Sequence, residues 1–126
     1  MGIRNSESLV RSDFSVDSDG HPTGGNTSLR AVSGDGPDPL GYEALSIHWQ
    51  DGTIGPDGQN GAFVEDVLEA ARQRLQFFNG TEFRCRENSI AITKIEEALQ
   101  WLDWRTRQRL LQDVENTYDQ HEADVD

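Results

Sequence analysis

The stretch FRCRENSIAITKIEEALQWLDWRTRQR, residues 83–109, decides the fold because its apolar residues recur at every third or fourth position. This spacing is typical of one face of an α-helix. With Asn88 as the origin and about 100° per residue, the apolar arc runs from about 280° through zero to about 40°. Its members are Ala91, Ile92, Ile95, Ala98, Leu99 and Leu102. We predict a helix that begins near Arg86 or Glu87 and ends near Leu111.

The segment NGAFVEDVLEAARQRLQFFNG, residues 60–80, predicts another helix before it. We expect Asn60 to be the N-cap, because its side-chain oxygen can accept a backbone N–H bond, and Gly80 to end the helix. The apolar stripe consists of Val64, Val67, Leu68, Ala71, Leu75 and Phe78. A short connection between two such helices favours an antiparallel hairpin.

Residues 1–41 are rich in Ser, Gly, Asp and Asn, which are common in turns and loops. Two short runs inside this segment, residues 13–17 and 28–33, are possible strands. Residues 43–50, EALSIHWQ, predict a strand more clearly because apolar and polar residues alternate. The Asp-Gly pair at residues 51–52 suits a tight turn after that strand.

We therefore predict an α+β fold, with a small N-terminal antiparallel β element packed with a C-terminal antiparallel two-helix hairpin. Residues 1–41 form the loop-rich segment, residues 42–118 the β-strand plus helical-hairpin domain, and residues 119–126 an acidic tail. Hydrophobic residues make up only 34% of the chain. Because Ile90 and Trp101 also widen the apolar surface of the second helix beyond what one partner helix needs, we expect a homo-oligomer.

The 23 acidic and 11 basic residues give a formal net charge of -12. This excess argues against DNA or RNA as a partner, since such binding depends on neutralising phosphates, and against an anionic membrane surface. The acidic excess does not exclude a small phosphorylated ligand, because two well-placed arginines can bind its phosphates at short range. There is no run of about 18 apolar residues, so no membrane span is predicted. Cys85 is the only cysteine, which suits a reducing cytosol.

Two arginines stand at unusual positions on the second predicted helix. Arg109 falls at about 300°, inside the apolar arc, and Arg105 at about 260°, on its edge. Basic residues near a helix end favour the helix dipole, and their stems can cover apolar surface. Alternatively, an i, i+4 arginine pair beside an oligomer interface forms a fork for phosphate oxygens. The pattern leaves both interpretations open.

Phe78 and Asn88 are candidates for holding a nucleobase. A ring at the end of one helix, opposite an amide at the start of the next, suits a flat base. Phenylalanine is more often a core residue, however, and an asparagine at a helix start can satisfy backbone donors.

No pattern in the sequence predicts a catalytic site. A glycine-rich phosphate loop is absent, and the three histidines are too scattered for a zinc site. The Asp17-Ser18-Asp19-Gly20 stretch resembles a calcium loop but lacks its twelfth-position acid. We therefore expect a protein that is not an enzyme, with no catalytic residues, no metal and no cofactor.

Several short motifs together resemble a known phage-encoded family. They are Gln-Asn-Gly at 59–61, Glu-Asp at 65–66, Arg74-Leu75, Cys85-Arg86-Glu87-Asn88, Ala-Ile-Thr-Lys at 91–94, and Trp101-Leu102 with Arg105-Thr106. The chain resembles the Thoeris anti-defence sponge family of the first-described type, over residues 45–118. That family shares its helical hairpin with the phage anti-CBASS sponge for cyclic oligonucleotides.

The resemblance implies a protein that sequesters host immune signalling nucleotides without degrading them, in the cytoplasm of the infected bacterial host. Glycocyclic ADP-ribose is the implied ligand of Phe78 and Asn88, at a pocket between protomers of a dimer that assembles further into a hexamer. Arg105 and Arg109 are the implied phosphate contacts of a second site, for cyclic trinucleotides. Thr117 matches a pocket threonine, and Asn116 stands where the family has a glycine, so we expect a turn there.

An interaction protein is the alternative reading of the same hairpin. Trp101 and Trp104 would then form a surface that binds a host protein, because exposed tryptophan-rich patches mark interfaces. A nucleotide hydrolase is a more distant alternative.

Overall fold

The computed structural model describes residues 9–31 and 41–125, with side chains described as far as residue 112. Its elements are strands β1 (Arg11–Val16), β2 (Pro22–Ala31) and β3 (Tyr42–His48), then helices α1 (Val64–Asn79) and α2 (Arg86–Val125). The chain divides into two compact units, Met1–Phe63 and Val64–Asp126. A three-stranded sheet followed by two helices confirms the predicted α+β class.

The sheet is antiparallel, with strand order β1-β2-β3. Thr27 and Leu29 point to the same face of β2 and are the buried side chains among the described residues. Leu29 pairs with Leu45 of β3. Thr27 Oγ1 accepts a hydrogen bond from Trp49 Nε1 at 2.7 Å and lies 2.8 Å from Ser12 Oγ. These hydroxyl and indole bonds join β1 and β2 to Trp49, the residue that follows β3.

β2 begins well before the strand predicted at residues 28–33, and glycine explains the difference. Gly24 and Gly25 have φ values of 138° and 118° and lie inside the strand. A Cβ on Gly25 would overlap the Asp13 carbonyl oxygen and come within 2.8 Å of Phe14 Cα. The glycine here permits close approach of β1, whereas glycine in a sequence more often indicates a loop.

The chain after β3 does not form the tight turn predicted at residues 51–52. Residues 51–61 form a longer loop that Asn60 closes onto Asp51. Asn60 Oδ1 accepts the Asp51 N–H bond at 2.8 Å, and Asn60 Nδ2 donates to the Asp51 carbonyl at 3.0 Å. The prediction that Asn60 is the N-cap of the first helix was therefore wrong, because its amide closes this loop and α1 starts only at Val64.

The two helices form an antiparallel hairpin, as predicted, and side-chain contacts fix its register. Asn79 Nδ2 donates to Ser89 Oγ at 3.0 Å. Farther along, Arg72 Nη1 lies 3.9 Å from Glu96 Oε2, and Arg105 Nη2 lies 3.7 Å from Glu65 Oε1. The six predicted apolar residues of α2, Ala91, Ile92, Ile95, Ala98, Leu99 and Leu102, are all half-buried. Their burial confirms the predicted packing face.

α2 continues to Val125, well past the end predicted near Leu111. No glycine or proline follows Gly80, so nothing in the sequence interrupts the helix. Asn116 lies inside this helix, which overturns the turn expected there. Because the helix has 40 residues and α1 has 16, their lengths are about 60 Å and about 24 Å.

The longer helix therefore passes beyond the start of the shorter one. Arg105 lies opposite Glu65, in the first turn of α1, so no residue of α1 remains to cover later turns of α2. Large apolar side chains of α2 stay exposed in this single chain: Trp101, Trp104, Leu110 and Leu111. The exposed fraction of Trp101 reaches 72%.

We expect Gly25→Ala to destabilise the sheet by roughly 2 kcal/mol or more, since the added Cβ meets β1 and the positive φ disfavours alanine. Hydrogen exchange of the β1 and β2 amides should accelerate while exchange in α1 and α2 stays the same. Gly55→Ala is the matched control, because its Cβ would meet nothing within 4 Å. Equal strand protection in the two variants would contradict this account.

Candidate ligand-binding ends of the helical hairpin

Phe78 and Asn88 lie at the closed end of the hairpin, which we define as residues 74–89. Phe78 directly precedes Asn79, and Asn88 directly precedes Ser89. The Asn79 side chain donates a hydrogen bond to the Ser89 hydroxyl. The connecting loop is held by two further bonds. Asn79 Oδ1 accepts the Cys85 N–H bond at 3.4 Å, and Thr81 Oγ1 donates to the Phe78 carbonyl at 2.6 Å. The closed end is thus a braced support for the two candidate residues.

Asn88 does not cap α2 with its side chain. Cys85 takes that role, since its Sγ accepts the Asn88 N–H bond at 3.4 Å and its carbonyl accepts the Ser89 N–H bond at 3.2 Å. The Asn88 carboxamide is half-buried and makes no hydrogen bond to the part of the chain described here. Its donor and acceptor groups are therefore free for a ligand.

Phe78 belongs to a cluster that we call the arginine–phenylalanine cluster, formed by Arg74, Phe77 and Phe78. The Arg74 guanidinium carbon lies 4.7 Å from the Phe78 ring centroid and 5.3 Å from the Phe77 centroid. The two rings meet edge to face, with centroids 5.9 Å apart. Phe77 is exposed and Phe78 half-buried, so aromatic surface remains open at the end of α1.

A cleft of about 450 Å³ opens at the same end of the hairpin. Its lining residues are Asn79, Arg84, Cys85, Arg86 and Ser89. The volume is within the range of small-molecule sites, and the two arginines give it a positive charge. Arg84 and Arg86 were not among the site residues predicted from the sequence. The available signal was an arginine on each side of the cysteine that opens α2, in a strongly acidic chain.

Arg105 and Arg109 lie at the open end of the hairpin, where α1 begins. Arg105 Nη2 is 3.7 Å from Glu65 Oε1, and this oxygen is buried without a hydrogen bond. Arg109 is exposed and has no carboxylate partner among the side chains that the structure describes. Arg109 is exposed because it lies one turn beyond Arg105, whose partner Glu65 is already in the first turn of α1.

The structure brings the four candidates together as two separate pairs. Arg105 follows Asn88 by 17 positions in α2, which corresponds to about 26 Å along the helix axis. One chain therefore keeps the ring and amide apart from the arginine pair. Thr117 lies in the last part of α2, outside the residues whose side chains are described.

Between the two ends, Arg72 is held by hydrogen bonds within α1. It donates to both carboxylate oxygens of Glu69, at 2.8 Å and 2.7 Å, and to Gln76 Oε1 at 2.6 Å. The bonds that Glu69 accepts from Arg72 and from Gln73 lower its pKa to about 2. The bond to Glu69 raises the pKa of Arg72. The Glu69–Arg72 pair thus remains ionised at neutral pH. Its two hydrogen bonds engage the Nε and Nη2 donors of Arg72.

The turn between β1 and β2 holds three residues with possible metal-ligand atoms. Asp17, Asp19 and His21 are all exposed, and their ligand atoms lie within 4.8 Å of one another. Asp17 Oδ1 already accepts the backbone N–H bonds of Asp19 and His21, both at 2.9 Å. Closure of the turn accounts for this arrangement.

Within the described residues, neither helix is apolar enough over a sufficient length to cross a membrane.

Comparison with known proteins places the hairpin in a family. The family model described as "Acb2/Tad1, hairpin domain" matches residues 45–107. A protein named Thoeris anti-defense 1, from Bacillus phage SBSphiJ7, is 45% identical over 74 residues, which are 59% of this chain and 52% of the relative. The chain thus spans about half the length of this curated relative. Because the family model covers half of the sequence and includes both arms of the hairpin as far as Arg107, the chain belongs to the Acb2/Tad1 hairpin-domain family.

Proposed function

We propose that this protein is a phage anti-defence protein that binds and sequesters signalling nucleotides of the host immune system without degrading them. It acts in the cytoplasm of the infected bacterium. Membership of the Acb2/Tad1 hairpin-domain family and the name of the phage relative support this proposal. The observation that carries it furthest is that the closed end bears an exposed aromatic cluster, a free carboxamide and, lined by other residues, a positively charged cleft.

The closed end is the proposed site for glycocyclic ADP-ribose. This ligand combines a flat purine with a compact pair of negative charges. The Phe78 ring offers a face for stacking, and the Asn88 carboxamide offers both a donor and an acceptor. In the family that the chain resembles, such a pocket lies between two protomers, so a second copy completes the site.

The open end is the proposed second site, for cyclic di- and trinucleotides. Arg105 and Arg109 are one helical turn apart, which lets two guanidinium groups approach phosphates from the same side. Thr117, two turns farther along α2, is the remaining proposed contact. Exposure of Arg109 in the single chain leaves its donors available.

Self-association follows from the exposed apolar surface of α2. Leu110 and Leu111 lie past the start of α1 and have no α1 residue beside them, and Trp101 stays 72% exposed although it lies within the part of α2 that runs along α1. Contact with further copies would remove this surface from water, which is the main favourable term in association. A dimer or hexamer is the proposed assembly, and DNA, RNA and membranes are not proposed partners.

Sequestration rather than turnover fits the chemistry of the closed end. Cys85 is the one thiol of the sequence, and its sulfur already accepts a backbone N–H bond. The sequence has no histidine between His48 and His121, so no imidazole on the hairpin up to residue 112 can activate that thiol.

A second candidate function rests on the tryptophans of α2. Trp101 and Trp104 are exposed by 72% and 56%, and such residues are enriched at protein interfaces. A host protein would then cover the face that we assign to further copies. Recovery of a host protein by a monomeric chain without nucleotide affinity would favour this function.

We expect glycocyclic ADP-ribose to be recovered intact from its complex. The protein is incubated with the ligand, heat-denatured and removed, and the supernatant is analysed by liquid chromatography and mass spectrometry. Release at unchanged mass and amount is expected, since the site lacks a nucleophile–base pair. A product of different mass would show that the protein is an enzyme.

Arg105→Ala combined with Arg109→Ala should weaken cyclic trinucleotide binding by about 100-fold or more, because two charge-assisted phosphate contacts are lost. Isothermal titration measures the affinity, and light scattering measures the mass of the assembly. Lys94→Ala with Arg107→Ala is the matched control, since both side chains pair with acids on their own helix. Unchanged affinity, or loss of affinity together with loss of assembly, would assign the arginines to packing.

A further inference from the structure

We propose that Arg74 is a further binding residue of the closed-end site and that its guanidinium contacts a phosphate of the bound nucleotide. The inference rests on the proposed function, because it concerns the same ligand. It assigns a binding role to Arg74, which the family resemblance includes only as part of the Arg74-Leu75 motif.

Helical spacing builds the arginine–phenylalanine cluster. Phe77 and Phe78 follow Arg74 by three and four positions, so the three side chains are neighbours on the surface of α1. The guanidinium carbon lies 4.7 Å from one centroid and 5.3 Å from the other. Attraction to two ring faces restricts the position of the charge, so less freedom is lost when a ligand binds.

The charge of Arg74 is unpaired, unlike that of its neighbour Arg72. Arg72 donates hydrogen bonds to Glu69 and Gln76. Arg74 is exposed and has no carboxylate partner among the residues that the structure describes. A ring attracts a cation through its face but leaves the in-plane N–H donors of the guanidinium open.

Phosphate is the group that matches those open donors. A guanidinium presents planar, paired N–H groups, and these fit two phosphate oxygens at once. Phe78 lies directly beside it and offers aromatic surface for a base. The cluster therefore has one group for each half of a nucleotide, within a single turn of one helix. This arrangement favours phosphorylated ligands over nucleosides of the same base.

Packing is the competing explanation. The stem of an arginine can cover aromatic surface while its charge stays in water. In that case, a neutral side chain of similar length would serve equally well. Arg74→Gln therefore separates the two explanations, since it removes the charge but retains most of the stem.

The test is isothermal titration of glycocyclic ADP-ribose into the full chain and four variants. Arg74→Gln should weaken binding by about 30-fold, and Arg74→Lys, which retains the charge but loses the fork, by about fivefold. Arg72→Gln is the matched control on the same helix and should change the affinity by less than about threefold. Phe78→Ala reports on the proposed site itself. Added salt should weaken binding by the unsubstituted chain more than binding by Arg74→Gln.

Each outcome has a distinct meaning. If Phe78→Ala loses binding while Arg74→Gln stays within about threefold of the unsubstituted chain, Arg74 only packs on the rings and the inference fails. If the unsubstituted chain does not bind this ligand, the proposed site and the inference fail together. Circular dichroism of each variant checks the helices, and Arg74→Lys provides the comparison if Arg74→Gln loses helicity.

Discussion

The register of the helical hairpin is the constraint on which the rest of this structure depends. The bond from Asn79 to Ser89 fixes the closed end, and the contact between Arg105 and Glu65 fixes the open end. Because both contacts belong to one antiparallel pair, residues far apart in the sequence acquire definite neighbours. The register places Phe78 beside the start of α2, and it leaves the later turns of α2 without a covering helix.

Local patterns predicted the fold where each element depends on its own residues. Apolar spacing alone indicated both helices, and the observed start of α2 at Arg86 agrees with the prediction. Long-range contacts account for the errors. Gly25 allows β1 to approach closely, and Asn60 bonds to Asp51 across a loop, so neither residue has the local role that its type suggests. The end of α2 was placed too early because a change to acidic, polar residues does not itself stop a helix.

The candidate site was only partly visible in the sequence. Helical spacing made Phe78, Asn88, Arg105 and Arg109 candidates but left each with an ordinary alternative, and Thr117 came from the family resemblance alone. Two of those explanations can now be compared with the structure. Cys85 rather than the Asn88 side chain caps α2. Arg109 lies past the start of α1, so its stem does not cover apolar surface of that helix. Arg74 was overlooked because its significance depends on ring geometry, which residue spacing does not determine.

An acidic protein can bind a small anion where a few cations lie close together, and the hairpin has arginines at both of its ends. The most direct test of this separation is a two-ligand titration. The protein is saturated with a cyclic trinucleotide, and glycocyclic ADP-ribose is then titrated by calorimetry. Our account predicts the same affinity and stoichiometry with and without the first ligand, because the pairs lie about 26 Å apart along α2. Displacement of one ligand by the other would show that the two ends form one site and would contradict the account.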